Sequence, residues 1–209
     1  MERESNSPSR GASSPSLHIN ALDKSEYALL MIDVINDLDF DNGERLLEQA
    51  LPMANRLSEF KRRVKRQGVP VVYTNDNFGK WQSDFQRILK HCLEDDVPGK
   101  RIAELLRPED DDYFVLKPKH SGFFSTTLDI LLRYLEARTL IITGIATDNC
   151  VLFTANDAYM RDFNLIVPAD CVAAEDADES KRALNHMQRV LKADIRPSNE
   201  IQFEKREAD

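Results

Sequence analysis

The chain has 209 residues, 42% of them hydrophobic and 31% charged, which suits one folded domain with a sizeable core and excludes an unfolded polyampholyte. A formal net charge of −8 opposes binding to a polyanion, so nucleic acid is not an expected partner. No run of about 18 apolar residues suggests a membrane span and no apolar amino-terminal stretch reads as a signal peptide, so no membrane partner is expected and the cytoplasm is the expected compartment.

Residues 1–20 are rich in Ser, Pro, Arg and Gly and offer almost nothing to bury, which predicts a disordered tail before a single domain over residues 21–209. From Tyr27 the sequence alternates short apolar runs with segments of helical period, the pattern of βαβ units and a mainly parallel sheet. The predicted strands are Tyr27 to Asp33, Pro70 to Thr74, Tyr113 to Lys117, Thr139 to Thr143, Leu165 to Pro168 and, weakly, Asp194 to Pro197. Between the first two, Leu46, Ala50, Met53, Leu57, Phe60 and Val64 fall on one face of a helix that Gly68 ends. The basic stretch Lys61 to Arg66 reads as the solvated end of that helix. Trp81, Phe85, Ile88 and Cys92 repeat the spacing, as do Leu128, Leu131 and Leu135, and later Ala183, Met187 and Val190; these are core stripes. Six strands with interleaved helices predict a three-layer, doubly wound α/β fold of Rossmann-like order, with ligands beyond the carboxyl ends of the strands.

Three cysteines at wide spacing, Cys92, Cys150 and Cys171, include no CxxC pair, so neither a disulfide scaffold nor a zinc site is expected. Asp33 ends an apolar strand, where a carboxylate is costly to bury without a partner. Alone it reads as a turn residue, and Lys117, which ends its strand in the same way, reads as a surface cation. Cys150 follows a buried strand and a tight turn into a helix beginning near Asp148 or Asn149, where free N–H groups and the dipole favour a thiolate. A small buried hydrophobe is the ordinary role of a free cysteine and the one expected of Cys92 and Cys171.

The segments Leu-Met-Ile-Asp-Val-Ile-Asn-Asp, Leu-Lys-Pro-Lys-His-Ser-Gly-Phe and Thr-Gly-Ile-Ala-Thr-Asp-Asn-Cys-Val stand in the order and spacing of the isochorismatase-like cysteine hydrolases, which the chain resembles from about Tyr27 to Ile201. Thr154, Ala158 and Val167-Pro168-Ala169-Asp170 extend the match. The resemblance implies a catalytic triad in which Asp33 is the general base, Cys150 the nucleophile and Lys117 the charge partner. It also implies a cis Ile145 to Ala146 bond, with the Ala146 and Cys150 N–H groups as an oxyanion hole. Metal-dependent nicotinamidases of the family carry an Asp and histidines after the second strand. Here that stretch, Tyr-Thr-Asn-Asp-Asn-Phe-Gly-Lys-Trp, holds no histidine, and no metal or other cofactor is expected. True isochorismatases lack the cysteine, so Cys150 argues against their vinyl-ether hydrolysis. In the family the position of His120 is not catalytic, and surface or packing roles are expected for His18, His91, His120 and His186.

The expected protein is therefore a cysteine-dependent amidohydrolase acting on the C–N bond of a small amide or ureido compound through a thioester, as a homo-oligomer (dimer or tetramer). Asn75, Trp81 and Phe123 are the candidates for lining its pocket, since their loops follow the second and third strands. A non-catalytic partner-binding module tethered by the Ser-rich tail is the alternative from another class. A thiol redox sensor pairing Cys150 with Cys171 is a third.

Overall fold

The structure is a computed structural model describing residues 24–82 and 84–203. The tail predicted over residues 1–20 lies outside the described residues. Five strands run side by side in the order β3-β2-β1-β4-β5: β1 Tyr27–Ile32, β2 Val71–Asp76, β3 Tyr113–Lys117, β4 Thr139–Ile145 and β5 Asn164–Ile166. The two-residue β6, Val172–Ala173, pairs with the end of β4, and all the pairings are parallel. The three-layer, doubly wound architecture is the one the alternating pattern predicts.

β1 is an unbroken apolar run because it is central and covered on both faces. Its side chains alternate between two cores. Leu29 and Met31 pack under α1 (Gly43–Lys65), α2 (Phe85–Glu94) and α3 (Lys100–Leu105). Ala28, Leu30 and Ile32 pack under α4 (Leu128–Tyr134), α5 (Leu152–Tyr159) and α6 (Ala177–Leu191). Helix starts follow local chemistry: the Asp84 carboxylate accepts the Arg87 N–H at 2.8 Å ahead of α2, and that of Asp176 accepts the Asp178 N–H at 2.8 Å ahead of α6.

Several expectations are corrected. Residues 194–197 form no strand; Asp194 makes one isolated bridge to Ile166, while β6 and α3 arise from segments too short to show a period. Trp81 precedes α2 and is exposed, because the helix begins only after the Asp84 cap. On α4 and α6 the buried stripes are Leu128 and Leu132, and Ala183, Leu184, Met187 and Leu191, leaving Val190 exposed. Lys61 is not a solvated helix end: it is buried, its ammonium 2.6 Å from Asp112 and 3.1 Å from the Tyr73 hydroxyl.

The close approach of β1 and β4 depends on one glycine. Gly144 pairs with Ile32 at φ +108°, and a methyl group there would overlap the Ile32 carbonyl. Gly144→Ala should therefore lower unfolding free energy by at least about 2 kcal/mol in a urea titration, with part of the loss appearing as displaced loops after β1 and β4. Wild-type stability in that variant would mean the strands can separate without cost.

Candidate active site

Three parallel strands end side by side, and each delivers a charged group to the same point. Asp33 follows β1 with a left-handed backbone (φ 50°), its N–H donating to the Thr74 carbonyl at 3.0 Å. That turn directs the carboxylate sideways: Oδ1 accepts the Asp76 N–H at 2.6 Å and Oδ2 lies 2.8 Å from the Lys117 ammonium. Lys117, the last residue of β3, has no exposed surface, the reverse of the outward-reaching cation its sequence position suggests. Asp76, its register partner at the end of β2, places Oδ2 at 3.4 Å from the same ammonium.

The fourth group comes from the turn after β4. The Ile145–Ala146 peptide bond is cis. A π-helical turn, Thr147–Val151, precedes α5, so helix begins earlier than Asp148 and Cys150 lies inside the wide turn. Its sulfur is 3.5 Å from the Lys117 ammonium, which Asp33 also meets, at 2.8 Å. Asp33, Lys117 and Cys150, separated by up to 117 residues of sequence, thus converge, and Asp76 joins them.

Burial is the largest influence on Asp33, Lys117 and Cys150. It pushes the Asp33 carboxyl above the usual range, against the opposing pull of Lys117. Burial works against the Lys117 ammonium too, but Asp33, Cys150 and Asp76 together outweigh it and hold the lysine charged. Burial and the Asp33 carboxylate push the Cys150 thiol up to about 12, despite Lys117. The salt-bridged pair is therefore not mirrored: the lysine gains proton affinity, yet its carboxylate does too. The cause is burial, which raises the carboxyl more than Lys117 lowers it. Burial also opposes the thiolate expected from the helix terminus.

Surrounding side chains hold the frame. The Thr154 hydroxyl donates to the Cys150 carbonyl at 2.7 Å and accepts the Gly122 N–H at 3.0 Å, joining the thiol turn to the loop after β3. Ser180 on α6 donates to the Thr147 hydroxyl at 2.8 Å. Of the pocket candidates, Asn75 is fully buried and spends its amide on the Ile35 backbone, donating to its carbonyl at 2.6 Å and accepting its N–H at 3.3 Å. Phe123 is packed in the core near Phe163, and Trp81 is exposed on the loop after β2. A hollow of about 480 Å³ is bordered by Asp37, Phe40, Asn77, Phe78, Lys80 and His91 and by none of the four clustered residues; one of its lining residues, Asn77, is tied to the cluster by its N–H, which donates to the Lys117 carbonyl at 3.0 Å.

Sequence reasoning missed two residues here. Asp76 lay in the stretch scanned for histidine ligands, but only the parallel register with Lys117 reveals its place. His120, expected in a surface or packing role, is exposed with its ring against Phe153, and puts Nδ1 at 3.9 Å from the Cys150 sulfur. Cys92 and Cys171 are buried free thiols, as expected, and burial raises both. Among the described residues no group of three or more His, Cys, Asp or Glu side chains could hold a metal ion.

Removing one member of a buried ion pair leaves the other charge unsolvated. Lys117→Met should therefore cost about 3–5 kcal/mol in urea unfolding, and adding Asp33→Asn should recover part of it. Full stability of the single variant would mean that the ammonium is not needed to bury the acids.

Comparison with known proteins places the chain. Residues 27–195 match the isochorismatase domain family model. YaaI of Bacillus subtilis, described as an uncharacterized isochorismatase family protein, is 40% identical over 180 residues, which is 86% of this chain and 98% of that protein. Ureidoacrylate amidohydrolase RutB of Methylorubrum extorquens is 46% identical over 69 residues, 33% of this chain and 28% of that protein. The crystal structure of N-carbamoylsarcosine amidase from Thermoplasma acidophilum superposes with a TM-score of 0.64 at 27% identity, covering 86% of this chain and all of that one. A family match over most of its length, together with these relatives, means that the chain belongs to the isochorismatase family.

Proposed function

We propose that this isochorismatase-family hydrolase cleaves the C–N bond of a small amide or ureido compound, with Cys150 as nucleophile. The observation that carries the reading is a thiol held 3.5 Å from a buried ammonium that a buried carboxylate also meets, at 2.8 Å. A carboxyl whose proton affinity burial raises is a stronger base toward the neighbouring thiol than an exposed carboxylate would be. As the sulfur attacks the carbonyl carbon, its proton passes to Asp33. The carbonyl oxygen takes up the electron pair and is met by the Ala146 and Cys150 N–H groups. Collapse re-forms the carbonyl and breaks the C–N bond, and the amine departs with the proton from Asp33. Water then gives a proton to Asp33 and its oxygen to the thioester, releasing the acid and restoring the thiol. Lys117 stays charged throughout and offsets whichever of the two acids is the anion. The names of the RutB and carbamoylsarcosine amidase relatives, each an amide or ureido hydrolase, support the same bond type. Phe153, Tyr159 and Met160 on α5 and Ile130 and Tyr134 on α4 are exposed and support assembly with a second copy.

The direct test is release of ammonia from small amides, carbamoyl compounds and ureido compounds by the wild type beside Cys150→Ala. The variant should lose activity by on the order of 10³-fold or more. Release unaffected by the substitution, or none from any compound, would remove the proposal. The pH dependence supplies a second test. Burial raises the Asp33 carboxyl and the base must be ionised, so activity is lost as pH falls through that raised value. The acid limb of kcat/KM should thus lie above the ordinary carboxylate value of about 3.9. A limb at or below that value would show another group to be the base.

A further inference from the structure

The proposed reaction uses Asp33, Lys117 and Cys150 but gives Asp76 no role, although Asp76 supplies a second carboxylate to the same ammonium. Its backbone N–H holds Asp33 Oδ1 at 2.6 Å, its Oδ1 accepts the Phe78 N–H at 2.6 Å, and its Oδ2 lies 3.4 Å from Lys117 Nζ. Asp33 is already paired with that ammonium at 2.8 Å and Lys117 has no exposed surface, so the cation has little field left for solvent or ligand. Asp76 keeps 30% of its side chain exposed, against 6% for Asp33. With Asp33 ionised, as the proposed base must be, one lysine charge faces two carboxylates, and the sum around the ammonium is −1. The other titratable group on the sulfur is His120 at 3.9 Å, and Lys119 beside it is exposed. In the adjoining hollow Lys80 and Arg87 are set against Asp37 and Asp39.

We infer that Asp76 is a specificity residue that makes the cleft at Cys150 anionic, so that it accepts neutral or cationic amides and rejects those carrying a carboxylate near the scissile bond. A uniform loss of binding would treat all ligands alike, whereas an unpaired charge discriminates by sign. The exposed oxygen also suits an N–H donor on the substrate, which a urea or carbamoyl nitrogen supplies and a carboxylate cannot. The inference rests on Cys150 facing the substrate, but its test needs no turnover.

The experiment compares alkylation of Cys150 by neutral iodoacetamide and anionic iodoacetate, read by peptide mass spectrometry at low salt and about pH 8.5, above the ordinary imidazole range. The ratio of the two rates cancels any change in thiol acidity, which alters both equally. Relative to 2-mercaptoethanol, the wild type should favour iodoacetamide roughly tenfold more, as expected of one unscreened charge several ångströms from the sulfur. Asp76→Asn keeps the backbone N–H and an acceptor for Phe78, and should abolish most of that preference. Asp76→Ser serves as the second variant if the first folds poorly by circular dichroism. A wild-type ratio equal to that of mercaptoethanol, or a ratio unchanged in both variants, overturns the inference and leaves the hydrolase reading intact. Loss of activity in Cys150→Ala, by contrast, bears only on that reading.

Discussion

A lysine ammonium with no access to water is the constraint on which the rest of the site depends. Dehydrating it is unfavourable unless anions surround it, and the structure provides Asp33 at 2.8 Å, Asp76 at 3.4 Å and the Cys150 sulfur at 3.5 Å. Each comes from the carboxyl end of a different strand or from the turn after one. The strand order β3-β2-β1-β4 is therefore an electrostatic necessity as well as a packing solution. β1 and β4 flank the point where the winding reverses, the place where open parallel sheets leave a crevice. Asp33 and Cys150 stand on its two sides.

The acids around that ammonium are not equivalent. Asp33 is locked by a left-handed turn and by the Asp76 N–H, so its geometry is set by backbone. The thiol is set by a π-helical turn tied through Thr154 to the Gly122 loop. Both groups are raised by burial, and one is mounted just past a strand end, the other on the turn after one. Proton transfer within such a pair requires little reorganisation, which is how a fixed site favours a charged transition state. Asp76 differs because it is partly exposed.

Much of this was legible in the order of residues. The apolar runs at β1, β2 and β4, each central enough to be covered on both faces, and the heptad-like stripe of α1 give the layers. Three motifs in order point to Asp33, Lys117 and Cys150. Short or amphiphilic segments were not legible: β6 and α3 have too few residues to show a period, and Lys61 looks solvated until Asp112 and Tyr73 close around it.

What the sequence determined by itself is therefore the fold class, the strand ends and the three residues that its motifs single out, because local periodicity and motif order depend on neighbours in the chain. Only the tertiary structure decided that Lys117 is buried, that burial raises the Cys150 thiol, that Asp76 completes the cluster and that Asn75 is a loop fastener. These properties arise from dehydration and from charges brought together across 33 to 117 positions, and no local pattern records such distances. Asp76 and Lys117 meet because β2 and β3 pair in register, and register is a property of the assembled sheet.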